Sequence, residues 1–360
     1  MTEASTKKRP LRVLHIGKYF PPHRGGMETI LQAQMNMQAR DEGLKVSAVV
    51  HSSDRRLIDV VELTELGYRV RRSARWLTAI FTPISPLFVW SVYRELTALD
   101  PDEIRIHMPN PSAFWLFVLP PAYRKQWTLL WHSDVLPSKH SVGLRLLYWF
   151  YRPLEILLLK RANLIIATSP PYLASSKPLA RFKAKCIVQP LRLDPQMIPA
   201  SAVSMPQPRK EPGEGIRVLC VGRLSYYKGF DTAIRAIAAI PDAQLKIVGE
   251  GEMRKALEKL ARELGLMERV EFVGNAADPD LWRLYAWCDV HCLPSIERTE
   301  AFGLSVNEAA IFNKPSIVSD LAGSGLVWNA QNTDVLFATS PPGNAEELTN
   351  AIRQLASNDS

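Results

Sequence analysis

Cysteine is scarce in this sequence: its 360 residues hold four, Cys186, Cys220, Cys288 and Cys292. None belongs to a C-x-x-C pair, and Cys288 and Cys292 have no His or Cys partners in a zinc pattern. A disulfide-stapled secreted scaffold and a structural zinc module are therefore excluded, and the thiols read as reduced. Long apolar runs are also few. The uncharged stretch WLTAIFTPISPLFVWSVY is broken by Pro83 and Pro86, and AFWLFVLPPA is too short to span a bilayer. No transmembrane helix is expected. The N-terminus passes from a short basic tail into an apolar strand without the pattern of a secretory leader, so the cytoplasm is the expected location. Helix-turn-helix, zinc-finger and RNP-type patterns are missing as well, which sets nucleic acid aside as a partner.

What is present is apolar material for two cores and an uneven charge. Hydrophobic residues make up 47% of the chain, enough for two domains. Residues 1–200 carry 28 Lys+Arg against 15 Asp+Glu, whereas residues 201–360 carry 16 against 21. The basic half suits an anionic surface or ligand. Within it, LRLLYWFYRPLEILLLKRA (144–162) is aromatic and apolar, with Arg145, Arg152, Lys160 and Arg161 around it. That is the pattern of an interfacial helix, although a buried core helix has the same stripe.

Continuous apolar strands alternate with helical segments along the whole chain, which predicts parallel sheets covered on both faces. In the first half the strands are expected at 12–17, 46–52, 103–108, 127–133, 164–169 and 186–191, with helices near 27–42, 86–98 and 142–161. A Pro- and Ser-rich stretch without periodicity, 194–215, reads as a linker. Strands then recur at 216–222, 243–249, 269–274, 290–295 and 315–320, with helices between them. The expected organisation is an N-terminal domain over 1–193, a linker over 194–215 and a C-terminal domain over 216–360. Both domains are α/β and Rossmann-like, doubly wound on parallel sheets and facing each other across a cleft. Ligands of such sheets bind outside the carboxyl ends of the strands.

Four strand-end features carry candidate chemistry. Gly25 and Gly26 follow the first strand and precede a helix, where backbone amides can approach an anion; a plain turn would read the same. Arg223 and Lys228, in VGRLSYYKGF, place two cations in a loop leaving a strand, suited to a diphosphate. Gly249-Glu250-Gly251 allows close backbone approach or an ordinary turn. Glu300 and Glu308, in SIERTEAFGLSVNEAA, put one carboxylate in a loop and another in the helix after it. Their separation is too wide for two acids acting on one bond, but it suits gripping two rings of one ligand. His132, in WTLLWHSDV, closes a strand, and Asp134 beside it could cap the next helix or approach a substrate.

Taken in order, GGMETIL, GRLSYYKGFDTAI, LKIVGEGEMRKALEKLARELGLMERVEFVGN and LPSIERTEAFGLSVNEAA resemble the retaining GT-B glycosyltransferases of family 4, whose signature is E-x7-E. The resemblance covers nearly the whole chain, most tightly 216–320. It implies a nucleotide-diphospho-sugar donor held mainly by the C-terminal domain, with no metal or other cofactor. Glu300 would then contact the transferred sugar, and the amides of Phe302 and Gly303 its hydroxyls and phosphate. Glu308 would accept from the ribose hydroxyls, while Arg223 and Lys228 would neutralise the diphosphate. Gly249 would line the donor site, Gly25 and Gly26 would close over the diphosphate, and His132 would lie close to the reacting sugar. HSD and HMPNP are similar to bacterial enzymes that add mannose or related sugars to lipid-linked polysaccharide precursors. The implied donor is GDP-mannose, the implied acceptor a lipid-linked glycan approached by Asp134, and the implied location peripheral on the cytosolic face of the inner membrane. A UDP-sugar enzyme with a soluble acceptor and a non-enzymatic binder of anionic ligands are the alternatives. The sequence departs from the family in stopping at Ser360, where members commonly continue through a further helix. It departs again at NTDVLF, where a Thr-Gly turn is common.

Overall fold

The computed structural model describes residues 9–79, 82–135, 142–210 and 214–357. The chain divides into two units, residues up to 167 with 177–194, and 168–176 with 195 onwards. In the first unit the strands are β1 (Arg12–Ile16), β2 (Lys45–His51), β3 (Val60–Leu63), β4 (Arg69–Ser73), a hairpin β5 (Leu77–Ala79) and β6 (Thr82–Ile84), β7 (Glu103–Met108), β8 (Gln126–Trp131), β9 (Leu164–Ala167) and β10 (Cys186–Val188). Its main sheet runs β10-β9-β8-β7-β1-β2-β4-β3, parallel throughout except where β3 meets β4. The strand order reverses between β1 and β7.

One strand of this sheet, β4, escapes an apolar reading. It reads Arg-Val-Arg-Arg-Ser, yet Arg71 and Arg72 are largely enclosed, each paired with an acid. Arg69 and Arg71 both bind Glu95, fully buried on helix Phe88–Leu99, at 3.1 and 3.0 Å. Arg72 binds Glu62 on β3 at 2.8 Å. A buried carboxylate with two guanidinium partners is tolerated where a lone one would not be.

The second unit is built from β11 (Arg217–Val221), β12 (Gln244–Val248), β13 (Val270–Gly274), β14 (Val290–Leu293), β15 (Ser316–Ser319) and β16 (Phe337–Ser340). Its order is β13-β12-β11-β14-β15-β16, all parallel. This is the doubly wound order, and its switch point lies between β11 and β14. The helices are amphipathic as the sheet requires. Helix Arg254–Glu263, for example, buries Leu257 and Ala261 and laces its outer face with the Arg254–Glu258 pair at 2.6 Å. β16 was not anticipated: the Asn-Thr-Asp before it reads as a turn, and only four residues follow in extended form.

Two boundaries differ from the sequence expectation. The stretch 168–176, expected in the first domain, packs with the second unit. There the Ser175 hydroxyl donates to the Gly323 carbonyl at 2.6 Å, and Arg298 donates to the same hydroxyl while its guanidinium lies 4.6 Å from the Tyr172 ring centre. The expected linker is partly structured. Helix Ala200–Val203 follows Ile198, and Ile198 and Ala202 are buried in a core with Trp282 and Tyr285. Residues 211–213 of that stretch lie outside the described residues.

Candidate functional site

In the C-terminal unit the chemistry gathers at the ends of the two switch-point strands. β11 runs into Gly222 and Arg223, a short turn Tyr226–Lys228, and Gly229 before helix Phe230–Ala238. β14 runs into the Ser295–Gly303 loop and then helix Leu304–Ile311. The turn is held against the strand end because Gly229 has no side chain: a Cβ there would lie 2.1 Å from the Pro294 carbonyl oxygen, and its φ of 65° favours glycine.

This brings Lys228 and Glu300 together. Lys228 Nζ lies 2.5 Å from Glu300 Oε2, with both side chains about one-tenth exposed, and the Ser295 hydroxyl donates to the same oxygen at 3.3 Å. Burial alone would lower the lysine's pKa. Glu300, Tyr227 and Glu308 outweigh it, so Lys228 is raised above its ordinary value and stays protonated. Both glutamates of the E-x7-E pattern therefore act on one ammonium. Arg223, by contrast, has an exposed side chain.

Glu308 is buried in the fifth position of its helix, and its Oε2 accepts from the Tyr285 hydroxyl at 2.6 Å. Tyr285 is fully buried, stacked on Phe312 at 5.6 Å. Burial first, then the Glu308 charge, pushes its phenol well above the usual range, so it serves as a donor. Tyr285 was not singled out from the sequence; on a helix preceding the strand it reads as one more core aromatic.

Phe302 is buried, and Gly303 adopts φ 77° where a Cβ would press on Leu326 and Leu293. The Asn329 side-chain amide donates to the carbonyls of Phe302 and Gly303 at 3.0 and 3.1 Å. Holding those carbonyls fixes the peptide planes, and so the directions of the Gly303 and Leu304 N–H groups. Asn329 had no sequence signal.

Gly249, expected at the donor site, is packed tightly against the neighbouring loop, with φ 132°. A Cβ on it would fall 2.0 Å from the Gly222 carbonyl oxygen, and one on Gly251 would fall 2.4 Å from the Leu224 carbonyl oxygen. Both glycines let the loop after β11 lie directly on the loop after β12.

In the N-terminal unit, Gly25 has an extended φ of 171° and precedes helix Gly26–Arg40. Gly26 has open space where a Cβ would stand, but a Cβ on Gly25 would fall 2.3 Å from Glu28 Oε2. A carboxylate already stands near this helix start. His132 is buried, its pKa lowered to about 4 by burial, and its Nε2 lies 3.0 Å from His107 Nδ1. Asp134 does not reach a helix cap among the described residues; its Oδ1 accepts from the Trp131 indole N–H at 2.8 Å.

The helix Val142–Arg161 is two-faced. Leu158, Leu159 and Glu155 are buried, while Trp149 and Phe150 are 74% and 76% exposed, with Leu154 and Leu157 beside them in the sequence. Two of the basic residues expected to flank a surface stripe serve the fold instead. Arg152 pairs with Glu155, and Arg161 donates to the carbonyls of Tyr123 and Lys125 at 2.8 and 3.0 Å. The side chain of Arg145 lies outside the described residues. No helix among the described residues is long and apolar enough to cross a membrane.

Comparison with known proteins gives matches along the chain. Residues 24–189 match the family Glycosyltransferase Family 4, and residues 204–360 match Glycosyl transferases group 1. The chain is 28% identical to the O-antigen chain mannosyltransferase C of Escherichia coli, over 97% of this chain and 90% of that protein. It is 29% identical to the D-rhamnosyltransferase WbpZ of Pseudomonas aeruginosa, over 96% of this chain and 86% of that one. Among solved structures, the sucrose-phosphate synthase of Thermosynechococcus elongatus superposes with a TM-score of 0.74 at 23% identity, over 97% of this chain and 90% of the other.

Proposed function

The chain belongs to family 4 of the GT-B glycosyltransferases and is a hexosyltransferase, and on that premise we propose that it moves a mannosyl residue from GDP-mannose to a lipid-linked saccharide in bacterial polysaccharide assembly. The observation that carries the reading is the Lys228–Glu300 pair at the switch point: an ammonium for a departing diphosphate beside a carboxylate for the sugar. Similarity to a mannosyltransferase along nearly the whole chain supports mannose. A second reading, D-rhamnose, has the support of an equally similar relative and fits the same chemistry, because D-rhamnose is mannose without its 6-hydroxyl.

In this mechanism the bond between the anomeric carbon and the diphosphate oxygen breaks as the acceptor hydroxyl attacks from the same face. The hydroxyl's proton passes to the departing oxygen, so the anomeric configuration is retained. Lys228 and Arg223 stabilise the diphosphate without a metal, Gly25 and Gly26 supply amides to it, Glu300 and His132 meet the transferred sugar, and Glu308 receives the ribose hydroxyls. Asp134 meets the acceptor. The test is incubation of the full chain with GDP-mannose, GDP-D-rhamnose and UDP-glucose, with and without EDTA. Donor cleavage and a thermal shift with GDP-mannose, unchanged by EDTA, are expected. Preference for UDP-glucose, or loss of activity with EDTA, overturns the corresponding part.

A lipid-linked acceptor requires a membrane face, and the exposed Trp149 and Phe150 offer one. Each aromatic side chain removed from water contributes about 1.5–3 kcal/mol, so the double substitution of both by alanine is expected to weaken partitioning to anionic vesicles by at least roughly 100-fold. Sedimentation with vesicles reads this directly. Equal partitioning of wild type and variant removes these residues from the membrane reading.

A further inference from the structure

A row of buried polar side chains crosses the N-terminal unit and ends at His132. Gln38, near the end of helix Gly26–Arg40, places its Oε1 2.9 Å from His15 Nε2 on β1. His15 Nδ1 lies 3.1 Å from His107 Nε2 on β7, and His107 Nδ1 lies 3.0 Å from His132 Nε2 just beyond β8. All four residues are buried. β1, β7 and β8 are neighbours in the sheet, so the row runs across three strands from a covering helix to a strand end.

The polarity of the row follows from what each atom can do. A neutral imidazole has one N–H and one lone pair, and an amide oxygen only accepts. His15 must therefore carry its proton on Nε2, leaving Nδ1 to accept from His107 Nε2–H. His107 Nδ1 in turn accepts from His132 Nε2–H, and His132 is left with its lone pair on Nδ1. A second proton on either inner ring would set N–H against N–H. Burial keeps the rings neutral, and for His15 the nearby Arg105 adds to it: His15 is lowered to about 4, and His107 lies well below its usual range.

We propose that Gln38, His15 and His107 are positioning residues that hold His132 in the Nε2–H form, so that its Nδ1 meets the substrate as an acceptor for a sugar hydroxyl. The proposal rests on the reading above in which His132 contacts the transferred sugar. Gln38 is two rings away from His132, so an effect of Gln38 on the protonation pattern of His132 is not what a merely structural residue would produce.

The experiment uses full-length protein with 15N-labelled histidine at pH 7.5, with the His132 signals assigned by their loss in His132→Gln. In the wild type, Nε2 of His132 is expected to show a protonated-type shift and Nδ1 an unprotonated one. Gln38→Leu is expected to move both signals toward the tautomer average and to lower kcat roughly tenfold or more at unchanged donor KM, because a histidine in the wrong tautomer cannot accept. Gln38→Glu, which keeps an acceptor oxygen, restores both. A wild-type His132 protonated on Nδ1 overturns the proposal, and this measurement decides it even if Gln38→Leu fails to fold. A folded Gln38→Leu with unaltered His132 signals and kcat overturns it as well. Full turnover in His132→Gln removes the sugar contact instead, whatever the nitrogen shifts show.

Discussion

Lys228→Ala is expected to lower turnover of the nucleotide-sugar donor by about two to three orders of magnitude, the effect of removing one well-aimed electrostatic partner from a partly dry site. The expectation rests on two properties of this lysine. Its ammonium stays charged despite burial, because Glu300, Tyr227 and Glu308 together outweigh the desolvation. It is also held in place, with Gly222 leaving room for its methylenes and Glu300 2.5 Å from its nitrogen. Arg223→Ala is expected to cost less, since an exposed guanidinium is already solvated and screened. Steady-state rates for both variants, with unfolding temperatures as a control, make the comparison. A loss of tenfold or less at Lys228 in a folded variant rules out its role at the diphosphate.

The second large effect is expected at the nucleoside end. Glu308→Gln keeps the shape of the side chain but removes its charge, and Tyr285→Phe removes the hydroxyl that donates to it at 2.6 Å. A hydrogen bond to a charged group contributes about 1.5–3 kcal/mol, so each change is expected to weaken nucleoside-diphosphate binding roughly 10- to 100-fold. On the proposed ribose contact, Tyr285→Phe should weaken binding as well, because it removes the hydroxyl that fixes the Glu308 carboxylate. Titration calorimetry with GDP reads both. Unchanged affinity in Glu308→Gln rejects the ribose contact, and unchanged affinity in Tyr285→Phe alone means that the carboxylate is held by other groups.

Both sheets were legible where strands are mostly apolar, as in β11 and β14, and where glycine follows a strand. The E-x7-E spacing likewise located the loop and helix that carry Glu300 and Glu308. β4 was hidden because its burial depends on Glu95, 24 and 26 residues away from the arginines it neutralises. Periodicity registers the polarity of a strand, not the acid that makes its charge tolerable. Tyr285 and Asn329 were hidden for a related reason: each acts through a residue distant in sequence, 23 and 27 positions off. The histidine row likewise joins residues on three strands and a helix, and no local pattern marks it. Gly249 was visible as a glycine needing close approach, and one group that approaches it is the Gly222 carbonyl, which a linear string cannot name.

The Ser169–Ser176 stretch has a consequence for how the molecule can be cut. Its serines and tyrosine brace Arg298, within the loop that carries Glu300, and the turn at Gly323 and Gly325. The fragment that begins after residue 194 lacks these supports, although it keeps every strand of its own sheet. Autonomy therefore does not follow the order of residues along the chain: the C-terminal unit takes a brace from a stretch that precedes it, and a fragment starting at 195 leaves Arg298 in the Glu300 loop without its Ser175 partner.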